Sequence, residues 1–268
     1  MQFIDSHAHL LDPAFDNDRD QLITHILPAA HIYKSIEIGC SPNEWQPALD
    51  LAAKYPLIVP VLGVHPEYAP LFNEDCANRF QTLLKNYPVA AVGEIGLDYT
   101  CLQTADKKLQ QDLFCQMMMY ADNANLPLVL HVRREAENYK AYEDSFALLH
   151  QYWKQHTPRP YAGVLHCFCA RYEEAKKAVD MGLLLGINGC FTYKKNEYIR
   201  EAVKKIGADK IILETDCPYL APQGKRGTRN DPSNIPLLAQ FVADYLDIPV
   251  EKLADLTLQQ TKLLYALP

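Results

Sequence analysis

The sequence predicts an α/β fold, a (β/α)8 barrel in which a parallel eight-stranded sheet is wrapped by outer helices. Three observations predict it. Eight short β-rich runs recur along the chain, with helix-patterned segments between them. The runs are nearly continuous in apolar residues, as strands buried on both faces must be. Eight such units also suit a chain of 268 residues, the size of a single TIM barrel. The competing open, doubly wound sheet would place a Gly-rich phosphate turn after its first strand. Here that place holds His7-Ala8-His9.

In chain order the predicted strands are "QFIDS", "KSIEIG", "LIVPVLGV", "VAAVGEIG", "PLVLHV", "YAGVLHC", "LLLGI" and "KIILET". The segments between them, such as "KKLQQDLFCQMMMYADNAN" and "RYEEAKKAVDMG", space apolar residues at the helical period and stop at Asn or Gly. No internal repeat, low-complexity segment or linker-like stretch interrupts them, so one domain over residues 1–268 is expected.

Composition narrows the function. Apolar content of 49% and charged content of 22% fit a globular chain with an ample core. A net charge of −7 argues against wholesale electrostatic capture of nucleic acid, but a local basic patch or bound cations could supply the missing charge. The 8 cysteines are scattered without a CxxC pair, which suggests buried reduced thiols; Cys167-x-Cys169 as a metal pair is weighed against plain packing. "MQFIDSHAHL" has neither the basic start nor the apolar stretch of a signal peptide, and no run reaches the roughly 18 apolar residues of a membrane span. No membrane association is expected, and the expected compartment is cytoplasmic.

A barrel enzyme collects its chemistry at the C-terminal ends of its strands. His7 and His9 close the first run, His65 follows the third, and Glu94, His131 and His166 stand at the ends of later ones. Glu214 and Asp216 close the last, whereas His25, His31, His150 and His156 fall in helical or loop segments. His7 and His9 are two apart and so share a face of a strand, where imidazole nitrogens can bind one transition-metal ion. The bland alternative for each residue is a hydrogen-bonded polar cap. It does not explain why the caps are so consistently of metal-ligand type.

"FIDSHAHL", "GVHPEYA", "VGEIGLDY", "LPLVLHVR", "GVLHCF" and "IILETDCPYLAP" together resemble the TatD-like metal-dependent hydrolases, a branch of the amidohydrolase-type barrels. The resemblance implies a TIM barrel, a centre of two divalent metal ions and deoxyribonuclease activity on DNA. It further implies that His7, His9 and Asp216 hold one ion, that His131 and His166 hold the other, and that Glu94 bridges them. Such a pair of ions stabilises both the attacking and the leaving oxygen of a phosphodiester. Asp216 could also take a proton from the attacking water, so Asp216 and Glu94 are the expected catalytic residues. The ions could be zinc, manganese, magnesium, nickel or iron.

His65 is expected either to contact substrate or to orient other groups. Arg133, two residues after His131, should face the same way and suits bidentate phosphate contact. Asp98, Tyr99 and Glu214 are read as substrate-facing or supporting groups. Lys225, Arg226 and Arg229 form the strongest basic cluster, with Arg226 as a substrate contact; Lys194 and Lys195 form a second, with solvated surface charge as the alternative. Departures from the family pattern are Glu67 after "GVHP", Cys169-Ala170 where Ser-Gly is usual, a looser segment after His131, and a reshaped "GKRGTRNDPSN" loop. They affect substrate choice more than hydrolysis. The leading function is exonucleolytic deoxyribonuclease. A hydrolase of a small ester, amide or lactone is its nearest rival, and a non-catalytic binding protein a more distant one. No obligatory protein partner is evident.

Overall fold

The eight strands pair in the order in which the chain presents them, and every neighbouring pair is parallel. They are β1 Phe3–Ala8, β2 Ile32–Gly39, β3 Ile58–Leu62, β4 Val92–Asp98, β5 Leu128–Arg133, β6 Gly163–Leu165, β7 Leu183–Ile187 and β8 Ile211–Leu213. All eight predicted runs are strands, and the observed bounds differ from the predicted ones by a few residues at either end. This is a computed structural model, and it describes residues 1–136, 138–153 and 160–268. His156 lies outside them.

A helical stretch over residues 19–29 follows β1. Helix α1 (Trp45–Lys54) follows β2, α2 (Glu74–Asn86) β3, α3 (Lys107–Ala124) β4 and α4 (Lys140–Tyr152) β5. Next come α5 (Tyr172–Asp180) after β6, α6 (Glu197–Ile206) after β7, and α7 (Ile235–Leu246) with α8 (Val250–Tyr265) after β8. The ends of α3 show why the predicted stop was legible. The Asp106 side chain accepts from Leu109 N at 2.9 Å, and Asn125 adopts the left-handed conformation (φ 57°) that closes the last turn. Among the described residues no helix is long and apolar enough to cross a membrane.

The core has two layers. The larger lies between sheet and helices. The smaller draws Ile4, Ile36, Val59, Ala91, Val129, Val164, Leu184 and Ile212 from around the barrel, and so fills its interior. Counting along the strands from this interior layer locates the site. From Val129 to His131 and from Val164 to His166 the count is even, so strand alternation keeps each pair on one face. From Ile4 to His7 and from Ala91 to Glu94 it is odd. Both strands shift register at those places, β1 between Asp5 and Ala8 and β4 between Gly93 and Ile95. Such irregularities re-aim side chains, and these two turn His7 and Glu94 inward.

The barrel closes where β8 returns to β1. Asp216 N donates to His7 O at 2.9 Å, and His9 N donates to Cys217 O at 3.0 Å. Beneath them the fully buried Asp5 carboxylate accepts from Thr215 N at 2.8 Å, Thr215 Oγ1 at 2.5 Å and His7 N at 3.3 Å. Asp5 thus joins residues 210 positions apart. Burial pushes its carboxyl up to about 8, against the pull of the Thr215 and His7 hydrogen bonds.

Removing this acceptor leaves buried donors unpaired, at about 1–3 kcal/mol. Asp5→Ala should therefore lower the urea midpoint, and an unchanged midpoint would show that the seam does not depend on Asp5. The pH dependence has a definite sign. A carboxyl at about 8 in the fold and at 3.8 when unfolded binds more protons in the native state between those values, so its contribution falls as pH rises from 4 to 8. Asp5→Asn should remove that component of the decline in stability.

Candidate metal centre

Glu94 stands at the centre of the barrel mouth, with its side chain buried, and points its two oxygens at two different groups of ligand-type side chains. Oε2 lies 3.4 Å from His7 Nε2 and 3.9 Å from His9 Nε2. Asp216 Oδ1 completes this first group, 3.5 Å from His9 Nε2 and 3.9 Å from His7 Nε2. Oε1 faces the second group, 2.5 Å from His131 Nδ1 and 3.3 Å from His166 Nε2. The six residues singled out by the sequence as metal ligands therefore meet in one place.

Three of them are held by groups around them. His131 turns its other nitrogen, Nε2, to Asp98 Oδ2 at 3.2 Å, and Asp98 Oδ1 is fixed by Thr100 N and Oγ1. His166 Nδ1 lies 3.1 Å from Glu214 Oε1, which also accepts from Cys167 N at 2.7 Å and Asn188 Nδ2 at 3.2 Å. Gly186 makes room for that carboxylate, since a Cβ there would stand 2.2 Å from Glu214 Oε2. Asp98 and Glu214 thus back the two histidines of the second group. Asp216 sits in a left-handed turn (φ 57°), an uncommon conformation for a residue with a side chain, held by its bond to His7 O and by Tyr219 N on its own carbonyl.

Negative potential dominates the pocket. Burial alone would raise the Glu94 carboxyl, but the His166 and His131 imidazoles hold it well below the carboxylate range. Asp216 is lowered in the same way, with His166 and a hydrogen bond from His9 outweighing burial. Burial works against the charged imidazoles too. Even so, Asp216 and Glu94 lift His9 to about 9, Glu94 and Asp98 lift His131 to about 9, and Glu214 and Glu94 lift His166 well above its ordinary value. His7, fully buried and stacked 3.5 Å from the His166 ring, is lowered instead.

This donor set fits divalent cations. Three ligand atoms of His7, His9 and Glu94 lie within 4.8 Å of one another, as do those of Glu94, His131 and His166. Ligands sharing a tetrahedral cation at about 2.0–2.1 Å stand about 3.3–3.4 Å apart. The spacings of 3.3 Å between the His7 and His9 nitrogens, 3.4 Å from His7 to Glu94 and 3.3 Å from His166 to Glu94 match that edge. The field that raises the imidazoles toward their protonated form attracts a metal ion to the same lone pairs.

The site opens into a cavity of about 760 Å³ that His65 and Arg133 also line. His65 packs its ring edge-on 4.3 Å from His131, and its Nδ1 accepts from Glu67 N at 3.1 Å, which leaves the ring proton on Nε2. Burial and the neighbouring His131 lower His65 to about 3, so it is neutral. Arg133 is exposed at the rim.

The basic loop differs from expectation. Arg229 forms a paired contact with Asp18 at 2.6 Å and donates to Ala14 O, and Lys225 donates to Asn234 Oδ1 at 2.6 Å. Both tie the loop to the barrel. Arg226 lies 4.5 Å over the Tyr193 ring and is not part of the cavity wall. Lys194 and Lys195 are exposed. The thiols differ as well: of the cysteines only Cys217 is buried, and Cys40, Cys167, Cys169 and Cys190 line the cavity.

Sequence reasoning missed Glu37. From the middle of β2 it accepts from Leu10 N at 2.7 Å and Leu11 N at 3.1 Å, fixing the chain just past His9. An acid inside the apolar run "KSIEIG" was the available signal.

Comparison with known proteins places the chain in a family and agrees with the barrel fold. The family described as TatD related DNase matches residues 4–266. An uncharacterized metal-dependent hydrolase, YabD of Bacillus subtilis, is 30% identical over 261 residues, covering 97% of this chain and 98% of its own. The 3'-5' ssDNA/RNA exonuclease TatD of Pantoea ananatis is 32% identical over 256 residues, covering 93% and 94%. Among solved structures, the TatD homolog YjjV of Escherichia coli superposes with a TM-score of 0.89 at 26% identity, covering 99% of this chain and 98% of that one. With its barrel, its ligand cluster and a match over nearly its whole length, the chain belongs to the TatD related DNase family.

Proposed function

We propose that this protein is a metal-dependent deoxyribonuclease that hydrolyses phosphodiester bonds from the ends of single strands, using two divalent ions bridged by Glu94. The observation that carries the reading is the division of the Glu94 carboxylate, with Oε2 toward His7 and His9 and Oε1 toward His131 and His166. His7, His9 and Asp216 would hold one ion and His131 and His166 the other. Bound there, divalent cations supply Lewis acidity toward phosphate oxygens and make water a stronger acid.

The chain's own groups do the rest. Asp216, kept ionised by its histidine neighbours, takes the proton from the attacking water. His65, neutral and carrying its proton on Nε2, offers a hydrogen bond toward the reacting phosphate from the cavity wall. Arg133, at the rim, suits paired contact with a backbone phosphate. A recessed centre favours a strand end, which can enter the cavity, over an uninterrupted duplex. The relative named as a single-strand exonuclease supports that choice of substrate.

The direct test is digestion of single-stranded oligonucleotides with Mg²⁺, Mn²⁺ or Zn²⁺, with EDTA as control. Metal-dependent shortening that EDTA abolishes is expected. If no metal yields product while lactones or carboxyl esters are hydrolysed, the small-ester reading replaces this one. With the loss of a general base worth about 10²–10⁴-fold, Asp216→Asn should lower kcat on oligonucleotides by at least a hundredfold. A kcat within threefold of the parent would remove Asp216 from the chemistry.

A further inference from the structure

Tyr219 has no part in the proposed reaction, yet it lines the cavity at its mouth with 56% of the residue exposed. Its exposure does not come from a lack of ties. Its N–H donates to Asp216 O at 3.0 Å, and its carbonyl accepts from the buried Asn230 Nδ2 at 2.7 Å. At the other end, its hydroxyl donates to Asp12 Oδ2 at 3.0 Å, across the seam between β8 and β1. Asp12 is itself held, because its Oδ1 accepts from Ala14 N at 2.8 Å. A large aromatic ring is thus fixed at both ends and left open beside the cavity, three residues beyond Asp216. Core packing does not explain such a ring.

The charges around the mouth are divided in a matching way. Asp12, Glu44 and Glu67 line the cavity from the loops after β1, β2 and β3. Arg133 lines it from the end of β5, which stands four strands from β1 in either direction around the barrel. A phosphate backbone is repelled from the carboxylate arc and drawn to the arginine opposite. The carboxylate arc suits a neutral group with a flat face and hydrogen-bond donors on its edge. Tyr219 supplies the facing ring, and Tyr68 of the short helical turn Pro66–Leu71 adds a second on the same arc, edge-on 6.2 Å from His65. The cavity of about 760 Å³ falls within the roughly 300–1,000 Å³ of ligand pockets.

We propose that Tyr219 is the base-stacking residue of this site, and that its ligand is the nucleobase at the end of a single strand whose phosphate lies at the metal centre. The proposal rests on the nuclease reading and adds the surface by which a strand end is held. Every base has a π-face, so stacking on Tyr219 accepts strands of any sequence and selects against an end that lacks its base. It also favours single strands, because a duplex must unpair and unstack its last base before that base can reach the ring.

The test is digestion kinetics on single-stranded oligonucleotides with Mn²⁺, with and without a base on the terminal nucleotide. Tyr219→Ala and Tyr219→Leu, which keep the N–H to Asp216, should each lower kcat/KM about tenfold on ordinary ends, mainly by raising KM. Tyr219→Phe keeps the ring and should stay within about threefold of the parent. On base-free ends the parent should lose the same factor, and Tyr219→Ala should add nothing to it. Tyr87→Ala, at a tyrosine 41% exposed ahead of β4 and so at the opposite end of the barrel, should leave all rates unchanged. Circular dichroism and a count of bound Mn²⁺ should show fold and centre intact in every variant. Equal kcat/KM in the parent, Tyr219→Ala and Tyr219→Leu on ordinary ends overturns the proposal and leaves the nuclease reading standing. So does an undiminished loss on base-free ends, or a loss of Mn²⁺ by both variants. If the parent shortens no oligonucleotide, the nuclease reading falls and this subsite falls with it.

Discussion

The Glu94 carboxylate is the constraint around which the mouth of this barrel is organised. Buried and ionised, it sits among four imidazoles contributed by the loops and ends of β1, β5 and β6, and it gives one oxygen to each pair. A buried carboxylate costs several kcal/mol unless it is compensated. Here the compensation comes from imidazoles, a side-chain type that can also bind cations. Asp98 and Glu214 extend the same logic outward, orienting His131 and His166 from behind. The result is a pocket whose negative potential is balanced only by protons or by metal ions.

Such a cluster requires the two ends of the sheet to meet. His7 and His9 lie at the start of the chain and Asp216 near the end of the barrel, and they become neighbours only because β8 returns to β1. That seam carries few ladder bonds, so Asp5 takes a share of the joining by accepting from both the backbone and the hydroxyl of Thr215. Closure of the barrel and assembly of the site are thus one structural event. Glu37 performs a similar service one strand over, fixing the amides of Leu10 and Leu11.

Much of this was legible in the sequence, for a physical reason. Parallel strands buried on both faces are mostly apolar along their length, so His131, His166 and Asp216 at or just past their ends stood out against apolar runs. Simple alternation would have misplaced His7 and Glu94, because register shifts in β1 and β4 reverse the face just before each of them. Local spacing carries no signal for that. The basic loop was readable as charge but not as pairing. Arg229 and Lys225 are engaged by Asp18 and Asn234, and contacts with residues far away in sequence leave no local mark.

The central claim is that Glu94 joins two cations, and crystallography with anomalous scattering from Mn²⁺- or Zn²⁺-loaded crystals tests it most directly. The account predicts two anomalous peaks about 3.5–4 Å apart, one against His7, His9 and Asp216, the other against His131 and His166, with one Glu94 oxygen on each. A single peak at saturating metal, or two peaks of which only one touches Glu94, would contradict it.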